Sequence, residues 1–395
     1  MPDLPADLAQ ITQTRLKNIK PSGIRAFSQK VENIPGIVKL TLGEPDLNTP
    51  EHVKQAAVQS ILNNDSHYSA QTGTLKLRQA VSHYLQRTEG LDYNPQNEIV
   101  VTVGATEALA ATMLALFQPG DEIIVPTPSY ALYFPLIQYT QAQLVAINTA
   151  HSDFVLTPED LETTLKQHPQ AKAILLNYPT NPTGREYSQT TLQQLSGIIK
   201  EHHLYVISDE IYSELTYDQP HVSIARYLPE RTLLINGVSK SHAMTGYRIG
   251  YVVGPKDLIG LITKMHAFMV TAPSNPAQAA AAEALENGAA DPIAARKIYQ
   301  QRRDYIMTAL KQMGLETITS EGAFYIFVKI PSVYGTDDEA FALDLAQKAK
   351  VGGTPGSAFG PGGAGYVRFS YAASEKDLQT AMNRIQKFLK TEVKG

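Results

Sequence analysis

The run Gly237-Val238-Ser239-Lys240-Ser241-His242-Ala243-Met244-Thr245-Gly246-Tyr247-Arg248-Ile249-Gly250 carries the reading of this chain. The strand-like segment Thr232 to Asn236 precedes it, so Lys240 falls where a strand gives way to a turn, among small and hydroxyl residues. Arg248 follows eight positions later. An amine so placed can condense with an aldehyde, and a guanidinium can grip a phosphate with paired N–H donors. The stretch therefore suits an aldehyde that also carries a phosphate.

Outward from this run, short β-branched segments alternate with longer helical patterns. Strands are predicted at Ile99–Val103, Glu122–Val125, Gln143–Ile147, Ala173–Leu176, Tyr205–Ser208, Thr232–Ile235 and Ile249–Val253. Helices are predicted at Thr106–Phe117, Tyr130–Tyr139, Pro158–Gln167, Thr190–Glu201 and Lys256–Val270, and the Ala277–Ala284 run reads as a helical packing surface. Such alternation predicts an α/β layered domain with a largely parallel sheet. After about Ala290 the pattern changes to a long helix (Ile293–Met313) and a strand-rich piece (Glu316–Ile330) broken at Gly322. A helix (Glu339–Lys348), a Gly/Pro-rich loop, a strand (Tyr366–Tyr371) and a last helix (Glu375–Lys390) follow, which predicts a second, smaller α+β domain.

Composition narrows the partners. With 395 residues, 43% of them hydrophobic, the chain can bury a large core. Its net charge of −4 (34 basic minus 38 acidic residues) and the lack of a basic stripe argue against nucleic acid or an anionic membrane. Cysteine is absent, which excludes disulfides and thiolate metal sites. His202-His203 has no further ligands at metal spacing and reads as a solvated helix end, so no metal is expected. Met1 to Lys20 is polar without an apolar leader core, and no run approaches the ~18 apolar residues of a bilayer span. A cytoplasmic protein is the expectation.

The remaining chemistry assembles around the lysine. Val100–Val103 followed by Gly104-Ala105-Thr106-Glu107 and an Ala/Leu-rich helix is a strand–turn–helix whose free N–H groups suit a phosphate. An ordinary helix cap would read the same way; Ser239 and Arg248 favour the phosphate, because a dianion needs more than one dipole. A phosphorylated aldehyde on a pyridine ring is pyridoxal 5′-phosphate, and a carboxylate against the ring nitrogen would keep it protonated. Asp209 ends the apolar strand Leu204–Ser208, where an open α/β sheet faces its ligand crevice. Tyr212, three residues on, and Asn181 in Asn177-Tyr178-Pro179-Thr180-Asn181-Pro182-Thr183-Gly184 can both bond the ring's phenolate oxygen. Arg368, mid-strand in Tyr366-Val367-Arg368-Phe369-Ser370, offers a fork for an α-carboxylate. Gly360-Pro361-Gly362-Gly363-Ala364-Gly365 fits a dinucleotide loop only formally: it precedes a strand, and is expected to be a substrate-side loop.

Together these residues resemble the class I/II aminotransferases of PLP fold type I, the aspartate aminotransferase superfamily, over nearly the whole chain. Gly237 through Gly250 satisfies that family's lysine-site pattern; Gly43-Glu44-Pro45-Asp46 with Pro50, and Tyr68 with Gly73 and Leu77-Arg78, resemble its N-terminal motifs. The resemblance implies a large domain with a seven-stranded, mostly parallel sheet. The expected division is an N-terminal arm and part of the small domain over 1–48, a large PLP-binding domain over 49–288 and a small C-terminal domain over 289–395. It implies that Lys240 holds the cofactor and moves the substrate proton, that Asp209 pairs with the pyridine nitrogen, and that Tyr212 and Asn181 act on its phenolate side. Gly104, Ala105, Thr106, Ser239 and Arg248 would hold the phosphate, with Tyr68 reaching a neighbouring site across a homodimer. Tyr130 would stack on the ring, with Tyr133 supporting Asp209 from behind. Arg368, Asn181 and the Gly43 backbone would hold the substrate carboxylate.

The implied reaction moves an amino group between an L-amino acid and a 2-oxo acid. The segments around Asp209 and Lys240 are similar to those of bacterial enzymes acting on N-acetyl-LL-diaminopimelate or aromatic amino acids. Tyr130 stands where many relatives carry tryptophan, and Phe268–Pro276 offers no arginine for a distal carboxylate. A β-lyase on the same fold is the alternative enzyme. A regulatory PLP-binding module is a further one, although the roughly 40 residues before Gly43 hold no helix-turn-helix.

Overall fold

In this computed structural model the described residues are 23–393 together with 3–5, 8, 16, 17 and 19, so most of the polar stretch Met1 to Lys20 lies outside them. The first half of the chain forms α1 (Gly23–Val31), β1 (Val38–Lys39), α2 (Glu51–Leu62), α3 (Leu75–Glu89), β2 (Ile99–Thr102), α4 (Gly104–Leu116), β3 (Glu122–Thr127), α5 (Tyr133–Tyr139), β4 (Gln143–Asn148), α6 (Pro158–Gln167), β5 (Ala171–Asn177) and α7 (Gln189–Glu201). Then come β6 (Tyr205–Asp209), β7 (Thr232–Gly237), β8 (Gly250–Val253), α8 (Lys256–Val270), α9 (Asn275–Asn287), α10 (Ala290–Gln312), β9 (Tyr325–Lys329), α11 (Asp338–Asp344), β10 (Val351–Gly352), β11 (Thr354–Pro355), β12 (Tyr366–Ser370) and α12 (Glu375–Phe388).

All seven predicted strands of the first region join one sheet in the order β2-β8-β7-β6-β5-β3-β4. Only β8 runs antiparallel to its neighbours. β7 and β8 are buried throughout and β5 from Ala173 onward, which is why they read as unbroken apolar runs rather than alternating ones. Helices cover both faces, and their ends follow local chemistry. Thr74 caps α3 by accepting from Leu77 N–H, and Gly90 ends it at a φ of 67°. Thr157 and Ser188 cap α6 and α7 in the same way. No side-chain oxygen caps the first turn of α4, so its leading N–H groups stay available.

Three hydrophobic clusters draw on residues between Val53 and Leu285 alone. The alanine-rich face of α9 is buried, its small side chains letting it seat closely on α2 and α3. A fourth cluster gathers α10, β9, β12 and α12 around an antiparallel sheet of order β11-β12-β9, and admits Leu40 from the N-terminal side. There β1 pairs with β10, and α1 packs Phe27 and Val31 on Ala342 and Ala346. No helix among the described residues is long and apolar enough to cross a membrane.

Several elements depart from the sequence reading. The helix expected from Tyr130 starts at Tyr133, because Tyr130 to Tyr133 close as a turn, with Tyr133 N–H on the Tyr130 carbonyl at 3.1 Å. The helix expected over Glu339–Lys348 is regular only to Asp344 and widens into a π turn over Leu345–Ala349. The last predicted helix does the same after Phe388. Helices α1, α2 and α3 and strands β1, β10 and β11 were not anticipated.

The end of β7 and the start of β8 meet backbone to backbone. A Cβ on Gly237 would lie 2.7 Å from the Ile249 carbonyl oxygen and 2.9 Å from Gly250 Cα. Gly237→Ala should therefore cost about 1–3 kcal/mol in urea unfolding, as overpacking does. Gly197→Ala, in α7 with open space around it, should instead gain about 0.5–1 kcal/mol. Equal effects would contradict the close approach.

Candidate active site

The sheet places its chemistry at one edge. β5 ends at Asn177, β6 at Asp209 and β7 at Gly237, β2 leads into α4, and Arg248 stands just ahead of β8. Together they floor a cavity of about 830 Å³. Gly43, Ala105, Thr106, Tyr130, Asn181, Asp209, Tyr212, Ser239, Lys240, Arg248 and Arg368 all line it. Eleven residues singled out from sequence thus converge from seven separated stretches of chain.

Asp209 lies at the bottom. Its Oδ2 accepts from the Tyr133 hydroxyl at 2.7 Å and its Oδ1 from Ile211 N–H at 3.3 Å. A carboxylate offers roughly four acceptor positions, so two are left open, and no cation pairs with it among the described residues. Burial pushes its pKa up to about 6, against the pull of the Tyr133 hydrogen bond. Asn177 Nδ2 donates to the Asp209 carbonyl at 3.0 Å and fixes the strand end.

Behind Asp209 lies a buried polar network that the sequence reading did not find. Burial alone would neutralise His221, but Glu186 Oε1 at 3.3 Å and Glu210 Oε2 at 3.0 Å raise its pKa well above the ordinary histidine value. Glu210 Oε1 also accepts from the hydroxyls of Ser208 at 2.7 Å and Ser223 at 2.8 Å. The charge of Glu210, next in sequence to Asp209, is thus answered by the imidazolium.

Lys240 is the counterpart of Asp209. Its Nζ donates to the Gly43 carbonyl at 2.7 Å, and burial draws its pKa down to about 8. Near neutral pH the amine is therefore far closer to losing its proton than a surface lysine is.

At the start of α4, Gly104 has a φ of 77°, and a Cβ there would sit 2.4 Å from Arg248 Nη2. Glycine is required so that the guanidinium can lie against the helix end. Gly104 itself stands behind the lining, while Ala105 and Thr106 face the cavity. Arg248 Nη1 donates to the Thr245 carbonyl at 3.0 Å, leaving its other donors for a ligand. Free N–H groups, the Ser239 hydroxyl and this guanidinium make a donor set that could hold a dianion.

Arg368 is 2% exposed and points into the cavity rather than to solvent. Nη1 donates to Asn181 Oδ1 and Nη2 to the Thr41 carbonyl, both at 2.7 Å, while Nε is buried without a partner. Asn181 accepts through its oxygen and so turns its amide N–H₂ elsewhere. Tyr325, which sequence reasoning missed, lies 4.3 Å under the guanidinium, and its hydroxyl is 2.7 Å from that of Tyr212. A Cβ on Gly43 would come 2.1 Å from the Tyr325 oxygen, so glycine is needed there too. Tyr325 sits within an apolar strand, where an aromatic looks like core. Tyr212 arrives on a tight turn just after β6.

Besides Gly104, two expected positions lie outside the lining of the cavity. Tyr68 is 90% exposed, on a loop tied down by Asn275 Nδ2 and Gln278 Nε2. None of the Gly360–Gly365 residues, expected as a substrate-side loop, lines the cavity. The loop packs against Phe134, Asn148 and the Gly356 backbone, where side chains at Gly360, Gly362 and Gly363 would collide. His202 and His203 end α7 exposed, and no group of metal-ligating side chains occurs among the described residues.

The family model for aminotransferase class I and II matches residues 35–385. A Bacillus subtilis protein named as a probable N-acetyl-LL-diaminopimelate aminotransferase is 41% identical over 97% of this chain and 96% of its own. Aromatic-amino-acid aminotransferase 2 of Thermococcus litoralis is 35% identical over 95% of this chain and 97% of its own. Among solved structures, the aspartate aminotransferase of Thermus thermophilus with maleate superposes with a TM-score of 0.90. It is 36% identical, and the match covers 95% of this chain and 98% of that one. A family match over most of the chain, on a fold with this strand order and this cavity, shows that the chain belongs to the class I and II aminotransferases.

Proposed function

We propose that this protein binds pyridoxal 5′-phosphate and transfers an amino group between an L-amino acid and a 2-oxo acid. Glutamate and 2-oxoglutarate form one pair; N-acetyl-LL-diaminopimelate or an aromatic amino acid, with its oxo acid, forms the other. The observation that carries this reading is a buried carboxylate lacking a cation in the same cavity as a buried amine drawn toward neutrality. That donor set fits the cofactor. Asp209 has two acceptor positions open for a protonated ring nitrogen, Lys240 an amine for the aldehyde, and the Gly104–Arg248 cradle a site for the phosphate.

When bound, the cofactor supplies an electron sink for the pair left by the broken Cα–H bond. Asp209 would hold the ring cationic, since an adjacent opposite charge favours the charged form. Tyr212 and the Asn181 amide would bond the phenolate oxygen, and Tyr130 would cover the ring face. Ala105, Thr106, Ser239 and Arg248 would hold the phosphate. Arg368 would take the substrate carboxylate with the donors that its own contacts leave free. Lys240 Nζ would remove the Cα proton as a base and return it as an acid, a role its lowered pKa serves near neutrality.

The domain division at 48 and 288 belongs to this proposal and is supported by the three clusters confined to residues 53–285. So does a homodimer: Tyr68 is exposed and away from its own cavity, as a residue serving a partner's phosphate would be. A cytoplasmic location completes the proposal.

Assay of 2-oxoglutarate-dependent amino transfer over a panel of amino acids should give product with ping-pong kinetics. Release of pyruvate and ammonia without any acceptor dependence would contradict the reaction assigned. Asp209→Ala should lower kcat by about 10²–10³ or more, the usual consequence of losing one preorganised electrostatic partner; activity within a few-fold of wild type would remove its role. Borohydride treatment after incubation with the cofactor should label Lys240 first. The yield should rise with pH through about 8, because the neutral amine accumulates above that value. A rise only near the ordinary lysine value of about 10.4 would show that the amine is not perturbed.

A further inference from the structure

Glu107 follows Thr106 in the first turn of α4, beside the donors assigned above to the phosphate. A free carboxylate there would compete with a phosphate, because the positive end of a helix draws either anion to its N–H groups. The fold turns this carboxylate away. Glu107 is 7% exposed and does not line the cavity. Its Oε2 accepts from Val103 N–H at 2.7 Å, and its Oε1 lies 2.9 Å from His266 Nδ1. A carboxylate only accepts, so Nδ1 is the donor of that bond.

His266 comes from α8, whose Ile259 and Ile262 share a hydrophobic cluster with Ala108 and Leu109 of α4. The ring is wholly buried, and its Nε2 has no partner among the described residues. An unpaired ring nitrogen is costly to bury, yet every side-chain hydrogen bond of His266 goes to Glu107. The turn they hold is fixed from other sides as well. The Thr102 hydroxyl donates to the Gly104 carbonyl at 3.0 Å, and a Cβ on Gly250 would lie 2.4 Å from the Ala105 nitrogen.

Resting on the aminotransferase reading, we propose that Glu107 and His266 are a positioning pair for the cofactor phosphate. His266 holds the Glu107 carboxylate on Val103 N–H, away from the cavity, and so keeps the first N–H groups of α4 open to the phosphate. Neither residue reaches the cavity, and the pair acts through the turn at Val103 and Gly104.

The test uses the full-length chain freed of cofactor, as wild type and as His266→Leu, His266→Asn, Glu107→Gln and the Glu107→Gln/His266→Leu double variant. Its readouts are the dissociation constants of pyridoxal 5′-phosphate, of pyridoxal, which lacks the phosphate, and of inorganic phosphate. His266→Leu releases the carboxylate. It should weaken pyridoxal 5′-phosphate and inorganic phosphate by about five- to thirtyfold, the range that a helix end lends a partly buried anion. Pyridoxal should bind as it does to wild type. Asparagine carries a donor near the place of Nδ1, so His266→Asn should restore both phosphate affinities. In the Glu107→Gln background His266→Leu should have no further effect on either, since the histidine acts through the carboxylate.

A loss that falls equally on pyridoxal reports only a loosened fold and overturns the assignment. So do unchanged phosphate affinities in His266→Leu, a His266→Asn variant as weak as His266→Leu, or the same loss with and without the Glu107 carboxylate. Should His266→Leu not fold, His266→Phe, which fills the space of the imidazole without a donor, takes its place in each comparison. A wild-type chain that binds inorganic phosphate and not the cofactor refutes the reaction proposed above, and the inorganic phosphate constants still decide the role of the pair. Wild type that binds neither overturns both.

Discussion

Asp209 is a carboxylate buried at the carboxyl end of β6 with two hydrogen bonds and, among the described residues, no cation paired with it. Burying a charge in this way costs several kcal/mol unless it is paired. Much of the surrounding structure can be understood as holding that group in place. Asn177 secures its carbonyl and Tyr133 one carboxylate oxygen. The neighbouring Glu210, whose charge would otherwise add to the penalty, is answered by His221, itself shared with Glu186. We propose that a carboxylate held in this way receives a cation brought from outside, a protonated pyridine ring.

The rest of the cavity follows from where strands end and where glycine permits close approach. Parallel strands bring Asn177, Asp209 and the turn after Gly237 to one edge. Gly104 lets Arg248 lie against the start of α4. The side facing Arg368 is assembled from distant segments: the Thr41 carbonyl, Asn181 from the turn after β5, and Tyr325 beneath the guanidinium. The N-terminal segment is thus part of the cavity wall, its position set by β1 on β10 and α1 on α11.

The sequence was most legible where one physical signal ruled alone. The inner sheet strands are buried on both faces and read as apolar runs, the edge strand β4 alternates, and all seven were located. Lys240, Asp209 and Arg368 each sit at a strand end or mid-strand, so their placement followed once the strands were known. α2 escaped because only Val53 and Ser60 of its twelve residues are buried, too thin a stripe to show periodicity. α3 escaped because its buried face includes Arg78, Ser82 and Glu89, which blur the apolar pattern. β1 and β10 are two residues each and exist through their pairing with each other. The Glu186–His221–Glu210 network joins three loops and strand ends, so no local pattern announces it. In the Gly360–Gly365 loop the glycines answer to packing against Phe134 and Asn148, a requirement that the formal glycine spacing does not reveal.

The account rests on Asp209 holding a ring cation. The most direct measurement is the nitrogen-15 chemical shift of ring-labelled cofactor bound to wild type and to Asp209→Asn across the neutral pH range. A nitrogen that stays protonated throughout in wild type and gives up its proton in the variant is the predicted result. A nitrogen that titrates alike in both proteins would contradict it.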